Sequence, residues 1–117
     1  MDAPQMQNQA LGAIPPHSTD AERSVLGALL QDSSALSAAV EALTGDDFYV
    51  PAHKEIFDAA RQLSASNMAV DLVTMDAELS RRGTLPGIGG IEYLIDLTQF
   101  VPTTANVKYY IRIVSEK

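Results

Sequence analysis

Apolar residues recur at intervals of three and four along most of this chain, in short stretches separated by proline, glycine or polar residues. These intervals place side chains on one face of an α-helix, whereas strands require strict alternation. A chain of 117 residues is long enough to enclose one core. The pattern therefore predicts a single all-α domain of short amphipathic helices.

The first predicted helix begins at Thr19, which stands three residues before Glu22. This T-x-x-E spacing is that of a capping box, in which the two side chains satisfy each other's free backbone N–H groups. Gly27 weakens the helix by about 1 kcal/mol relative to alanine, which indicates the close approach of another helix. The apolar stripe comprises Val25, Leu26, Leu29 and Leu30.

The next two predicted helices are separated by the connector 46–50. The second follows Asp32, Ser33 and Ser34, any of which can cap it, and ends at Gly45. Pro51 suits the first turn of the third helix, where a missing N–H is not needed. The two apolar stripes comprise Leu36, Val40 and Leu43, and then Ile56, Phe57, Ala60 and Leu63.

The segment 70–74 is compatible with a short strand, but a helix is favoured. Asp71 is a good N-cap, and Arg81, Arg82 and Gly83 form the basic last turn and terminal glycine of a helix. A loop is predicted from Thr84 to Gly89. The fifth helix, from Gly90 to Val101, is apolar around nearly its whole circumference, which predicts that it lies at the centre of the core, with Leu94 and Ile95 as its central residues.

After a break at Pro102, Thr103 and Thr104, a sixth helix is expected to carry a stripe of Val107, Tyr110, Ile111 and Val114. Tyr109 and Ile113 lie largely off this stripe, so we predict that they contact a second protomer or a further helical segment. Fraying of an exposed chain end is the open alternative.

Residues 1–17 are rich in Gln, Ala and Pro and are predicted to form a flexible tail, whereas 18–117 form the helical domain. The start of the chain lacks a basic segment followed by an apolar run, so a secretory signal is not expected. No apolar run reaches the about 20 residues of a membrane span. The absence of cysteine fits a reducing compartment, and we expect a cytoplasmic protein with a boundary to further polypeptide after Lys117.

Charge argues against direct binding of nucleic acid. Fifteen acidic and eight basic residues give a net charge of -7, and the only adjacent basic pair is Arg81 and Arg82. Affinity for nucleic acid comes mainly from Lys and Arg that neutralise phosphates. We therefore expect neither appreciable binding of single-stranded DNA nor a helix-turn-helix DNA reader.

No constellation of residues indicates catalysis. The glycines at 83, 87, 89 and 90 match neither nucleotide-binding pattern and are interpreted as turns and caps. His17 and His53 are too far apart for a zinc pair, and for His53 a structural hydrogen bond is favoured over general-base chemistry. We expect no catalytic residue, cofactor site or metal site, and the acidic residues of 46–58 are assigned to caps and a solvated face.

In order and spacing, the chain from Pro15 to Lys117 resembles the N-terminal domain of DnaB-type replicative helicases. Ile111 departs from this pattern, because the family commonly has a small residue there. The residues expected to carry the structural signature of that family are Glu22, Leu26, Gly27, Asp47, Phe48, His53, Ile56, Asp71, Thr74, Gly89, Gly90, Tyr93, Leu94, Asn106 and Tyr110.

The resemblance implies a compact orthogonal bundle of about six short helices. It also implies a non-catalytic collar domain in a hexameric, ATP-dependent 5′–3′ DNA helicase, whose motor, ATP and Mg²⁺ would lie beyond Lys117. The implied partners are other copies of the chain, primase and helicase loaders. A helical adaptor domain unrelated to helicases is the alternative, and an independent enzyme ranks third.

Overall fold

The computed structural model describes residues 18–100 and 105–116, and within these ranges every regular element is helical. The all-α prediction is therefore confirmed. The predicted tail, 1–17, and the predicted break at 102–104 lie outside the described residues. The helices are α1 (Thr19–Leu29), α2 (Ser33–Ala42), a 3-10 helix (Gly45–Asp47), α3 (Pro51–Ala65), α4 (Leu72–Arg82), α5 (Leu85–Ile88), α6 (Gly90–Phe100) and α7 (Val107–Glu116).

Helix α1 lies at the centre of the bundle and packs against α2, α3, α6 and α7. Its residues from Ala21 to Leu29 are buried, with the exception of Arg23. Gly27 is among the buried residues, and the side-chain amide of Gln31 donates to the carbonyl oxygens of both Gly27 (2.9 Å) and Thr98 (3.0 Å). The α6 backbone at Thr98 therefore lies beside the last turn of α1.

The prediction that the fifth helix is the centre of the core is wrong. Helix α6 buries only Leu94 and Leu97, whereas Ile95 is 36% exposed and Phe100 is 39% exposed. The apolar circumference of α6 does not decide its burial. Its main neighbour is α1, with smaller contacts to α4 and α5, and together they leave one side of α6 in solvent. A helix at the edge of a small bundle retains a solvent side.

The first helix is capped by Ser18 rather than by the predicted Thr19. The Ser18 hydroxyl accepts the backbone N–H of Ala21 at 3.1 Å. The predicted reciprocal role of Glu22 is also wrong, because its carboxylate accepts hydrogen bonds from residues of distant sequence. Ser18 and Thr19 both carry a hydroxyl that can cap a helix. Thr19 would need Glu22 as its reciprocal partner, and Glu22 is bonded to distant residues instead.

Other local signals were interpreted correctly. Pro51 is the first residue of α3, and Asp32 caps α2 by accepting the N–H of Ser34 at 2.9 Å. The segment after Val70 is a helix rather than a strand, since Asp71 and Thr74 form a reciprocal capping box. Helix α4 ends at Gly83, whose φ of 76° is in the left-handed region that favours glycine.

The predicted loop 84–89 contains the short helix α5, which raises the number of α-helices in the described residues to seven. Four residues are too few to show a helical period, so the spacing of apolar residues does not predict such a short helix. Gly89 follows with a φ of 108°, and a Cβ at this position would lie 2.9 Å from the Cβ of Tyr93. A side chain at this position would therefore clash with the first turn of α6, and the positive φ also favours glycine.

Substitution of two neighbouring residues of α6 distinguishes its buried side from its solvent side. Leu94→Ala should lower the free energy of unfolding by about 2 to 5 kcal/mol, as buried leucines generally do. Ile95→Ala should lower it by less than about 1 kcal/mol, because Ile95 is partly in solvent. Urea unfolding followed by circular dichroism measures both, and equal losses would contradict this packing.

Candidate protein-interaction site

The centre of the domain holds a buried polar network that joins three helices. His53 of α3 is fully buried, and its Nδ1 lies 2.8 Å from a carboxylate oxygen of Glu22 on α1. Its Nε2 lies 2.6 Å from the hydroxyl of Tyr93 on α6. Three helices that are far apart in sequence are therefore fixed relative to one another by one imidazole ring.

Glu22 also organises the segment that leads into α3. Its carboxylate accepts the backbone N–H groups of Tyr49 (2.6 Å) and Val50 (3.3 Å). Burial raises the pKa of Glu22, but the hydrogen bonds from His53, Tyr49 and Val50 outweigh this effect, and the net pKa is lowered. The carboxylate is thus ionised and supplied with three donors.

A carboxylate can only accept a hydrogen bond, so Nδ1 of His53 donates to Glu22. The other ring nitrogen, Nε2, shares a hydrogen bond with the hydroxyl of Tyr93. Burial raises the pKa of Tyr93, which favours the protonated phenol that this bond requires. Both ring nitrogens are engaged, and this arrangement favours a structural role for His53 over proton transfer to a substrate.

A second polar cluster neutralises the only adjacent basic pair of the chain. Both Arg81 (2.7 Å) and Arg82 (2.8 Å) donate to the carboxylate of Glu78, and the hydrogen bond from Arg81 contributes most to lowering the pKa of Glu78 to about 2. Arg82 also contacts Glu55 of α3, which in turn accepts the hydroxyl of Thr84. Arg82 therefore links α4 to α3, whereas Arg81 is paired with Glu78 on its own helix.

The remaining residues of the predicted signature fall into the core, the turns and the caps. Leu26, Phe48, Ile56 and Leu94 are buried, and the Phe48 ring lies 5.0 Å from that of Phe57. Asp47 accepts the N–H of Thr44. Asn106 precedes α7, and its carbonyl oxygen accepts the N–H groups of Tyr109 and Tyr110.

Among residues 18–100 and 105–116, no group of three or more His, Asp or Glu side chains is placed to hold a metal ion. In the same ranges, no helix is long and apolar enough to cross a membrane. The conspicuous outward features are apolar side chains on helix surfaces.

Tyr109 is 58% exposed on the outer side of α7. It borders a groove of about 660 Å³ between α2 and α7, whose walls include Ala38, Glu41 and Lys108. Ile113, the other residue predicted to lie at an interface, is half-buried and packs against the core. Ile111, which departs from the resemblance, is buried on the inner side of α7. Of the two predicted interface residues, Tyr109 is therefore the more exposed.

The chain matches known proteins over most of its length. The model of the family described as DnaB-like helicase N terminal domain matches residues 14–116. The replicative DNA helicase DnaB of Geobacillus stearothermophilus is 50% identical over 104 residues, which are 89% of this chain and 23% of that protein. The replicative DNA helicase DnaC of Bacillus subtilis is 45% identical over 89% of this chain and 23% of that protein.

A solved structure gives the same result for the fold. The crystal structure of the N-terminal domain of DnaB helicase from Mycobacterium tuberculosis superposes with a TM-score of 0.84 at 46% identity. The match covers 88% of this chain and 75% of that chain. By contrast, the chain spans about a quarter of the length of the curated relatives it matches.

Removal of the Tyr93 hydroxyl tests the buried network. Tyr93→Phe should lower the free energy of unfolding by about 1 to 3 kcal/mol, because it leaves Nε2 of His53 buried without a partner. Tyr109→Phe removes the same atom from an exposed ring and should change stability by less than about 0.5 kcal/mol. Thermal unfolding measures both variants, and equal effects would show that the Tyr93 hydroxyl contributes nothing.

Proposed function

This chain belongs to the DnaB-like helicase N-terminal domain family, and we propose that it serves as the collar domain of a hexameric, ATP-dependent replicative DNA helicase. In this proposal it has no catalytic residue of its own. ATP, Mg²⁺ and the DNA-translocating motor belong to polypeptide that follows Lys117. The protein works in the cytoplasm, where it contributes to ring assembly and to the docking of primase and of helicase loaders.

The main support for a role in assembly is Tyr109, which is exposed beside the groove between α2 and α7. Tyrosine supplies a large apolar area with a polar tip and is enriched where proteins meet. The charges around it are mixed. Lys108 and Glu41 both line the groove, and the exposed residues Arg112 and Glu116 follow on α7. Mixed charge suits association between identical chains, because each copy brings both signs.

The rigid interior supports this proposal physically. A motor ring needs contacts between protomers that persist while its nucleotide sites change state. The Glu22, His53 and Tyr93 bonds fix α1, α3 and α6 as one body, so a surface on this domain keeps its shape during the cycle. The proposed motor makes a claim about the gene, namely that a phosphate-binding loop is encoded after Lys117. Its absence would contradict the helicase part of this proposal.

The assembly proposal predicts a change in mass on extension of the chain. Sedimentation velocity should give a monomer or weak dimer for the 117-residue chain and a tighter oligomer for the full-length product of its gene. Tyr109→Ser, alone and with Ile113→Ser, should weaken the full-length assembly. Val73→Ser is the control, because it removes an apolar side chain that is 78% exposed elsewhere on the surface.

The same mass for the short, extended and Tyr109-substituted chains would contradict the assembly role. Docking is measured separately, by calorimetric titration of the full-length protein with primase from the same organism. No heat of binding in that titration would contradict the docking role and leave the assembly role standing.

A further inference from the structure

The exposed ring of Tyr109 is held in place by a neighbour on its own helix. It lies 5.8 Å from the ring of Tyr110, with an angle of 63° between the ring planes, which is an edge-to-face arrangement. Tyr110 is half-buried and packs against the core. Because the Tyr109 ring is supported in this way although it is 58% exposed, it loses little conformational freedom when it binds.

The groove beside Tyr109 is large enough to receive an aromatic ring. Its volume is about 660 Å³. On the α2 side, the lining includes the short side chains of Ser34, Ser37 and Ala38, so no bulky group fills the groove from there. Tyr109 lies on the α7 side. A projecting ring and a recess with room for such a ring are therefore neighbours on one surface.

The two sides of the groove carry opposite charges. Asp32 and Glu41 line it on the α2 side, whereas Lys108 lines it on the α7 side, with Arg112 one turn further along α7. In the part of the chain that the structure describes, neither Glu41 nor Lys108 forms an ion pair. Each of these two side chains can therefore pair with an opposite charge from outside the chain.

We propose that the groove binds Tyr109 of a second copy of this chain, in a contact with twofold symmetry. A twofold contact uses the same surface on both copies, so a surface that has both a projecting group and a recess for it is complementary to itself. In this contact α7 of each copy faces α2 of the other, and Lys108 pairs with Glu41 between copies. The inference rests on the proposed assembly role and specifies its surface and its partner.

The net charge of -7 does not prevent this contact. At a salt concentration of about 0.1 M, exposed charges more than about 10 Å apart are largely screened, so the charges at the contact itself decide its electrostatic energy. There the basic side of one copy meets the acidic side of the other.

Reversal of the charges at positions 41 and 108 tests the pairing between copies. Sedimentation equilibrium of the 117-residue chain, at concentrations up to about 1 mM, measures the dissociation constant of its dimer. Glu41→Lys places like positive charges opposite each other and Lys108→Glu places like negative charges, so each should weaken the dimer about tenfold. A mixture of the two variants should dimerise as tightly as the original chain, because every residue 41 then faces an opposite charge at position 108.

Matched controls separate this contact from a general effect of net charge. Glu92→Lys and Arg61→Glu make the same changes of charge at exposed positions outside the groove. Each should change the dissociation constant less than about twofold, and mixing them should have no further effect. Ser37→Trp should weaken the dimer with all the charges in place, because it fills the groove. Thermal unfolding should change little for any of these variants, since the substituted residues are exposed.

Two results would overturn the proposal, and both are distinct from failure of the assembly role. They are the absence of a dimer of the original chain, and no recovery when the Glu41 and Lys108 variants are mixed. If the mixture recovers but Glu41→Lys leaves the mass of the full-length protein unchanged, the contact stands and ring assembly depends on another surface. If Tyr109→Ser weakens the full-length assembly but the mixture does not recover, the assembly role stands and this twofold contact is wrong.

Discussion

The ionised carboxylate of Glu22 is the constraint around which the bundle is arranged. A charge removed from water costs several kcal/mol unless it is paired and hydrogen-bonded, so its position dictates where donors must be. Those donors are the backbone N–H groups of Tyr49 and Val50 and Nδ1 of His53. By accepting them, Glu22 sets the path of the chain into α3 and orients the imidazole toward Tyr93 of α6.

Local features of the sequence predicted most of the helices, because their causes lie within a few residues. Pro51 at a helix start, the reciprocal cap of Asp71 with Thr74, and Gly83 at a helix end all occur as expected. Glu22 was misassigned for the opposite reason. Its spacing fits a capping box, whereas its actual partners lie 27 to 31 residues away, and no periodic pattern reports pairs at that separation. The exposure of one side of α6 could not be predicted for the same reason, because the burial of a helix depends on which other helices pack against it.

The interior and the surface of the domain differ in character. Inside, hydrogen bonds hold the helices in one arrangement. Outside, α7 presents Tyr109 among charges of both signs, and α6 presents Ile95 and Phe100 around carboxylates. In the proposed assembly role, the surface around Tyr109 keeps its shape only while the buried network holds the helices together.

Native-state hydrogen exchange of the Tyr49 and Val50 amides, observed by NMR, tests the central role of Glu22 most directly. Both N–H groups belong to a connector between helices, where exchange is normally fast, but both donate to the buried carboxylate. We expect them to exchange only when the whole domain unfolds, with the same free energy of opening as the buried amides of Val25 and Leu26 in α1. Exchange at the rate of exposed connector amides would contradict it.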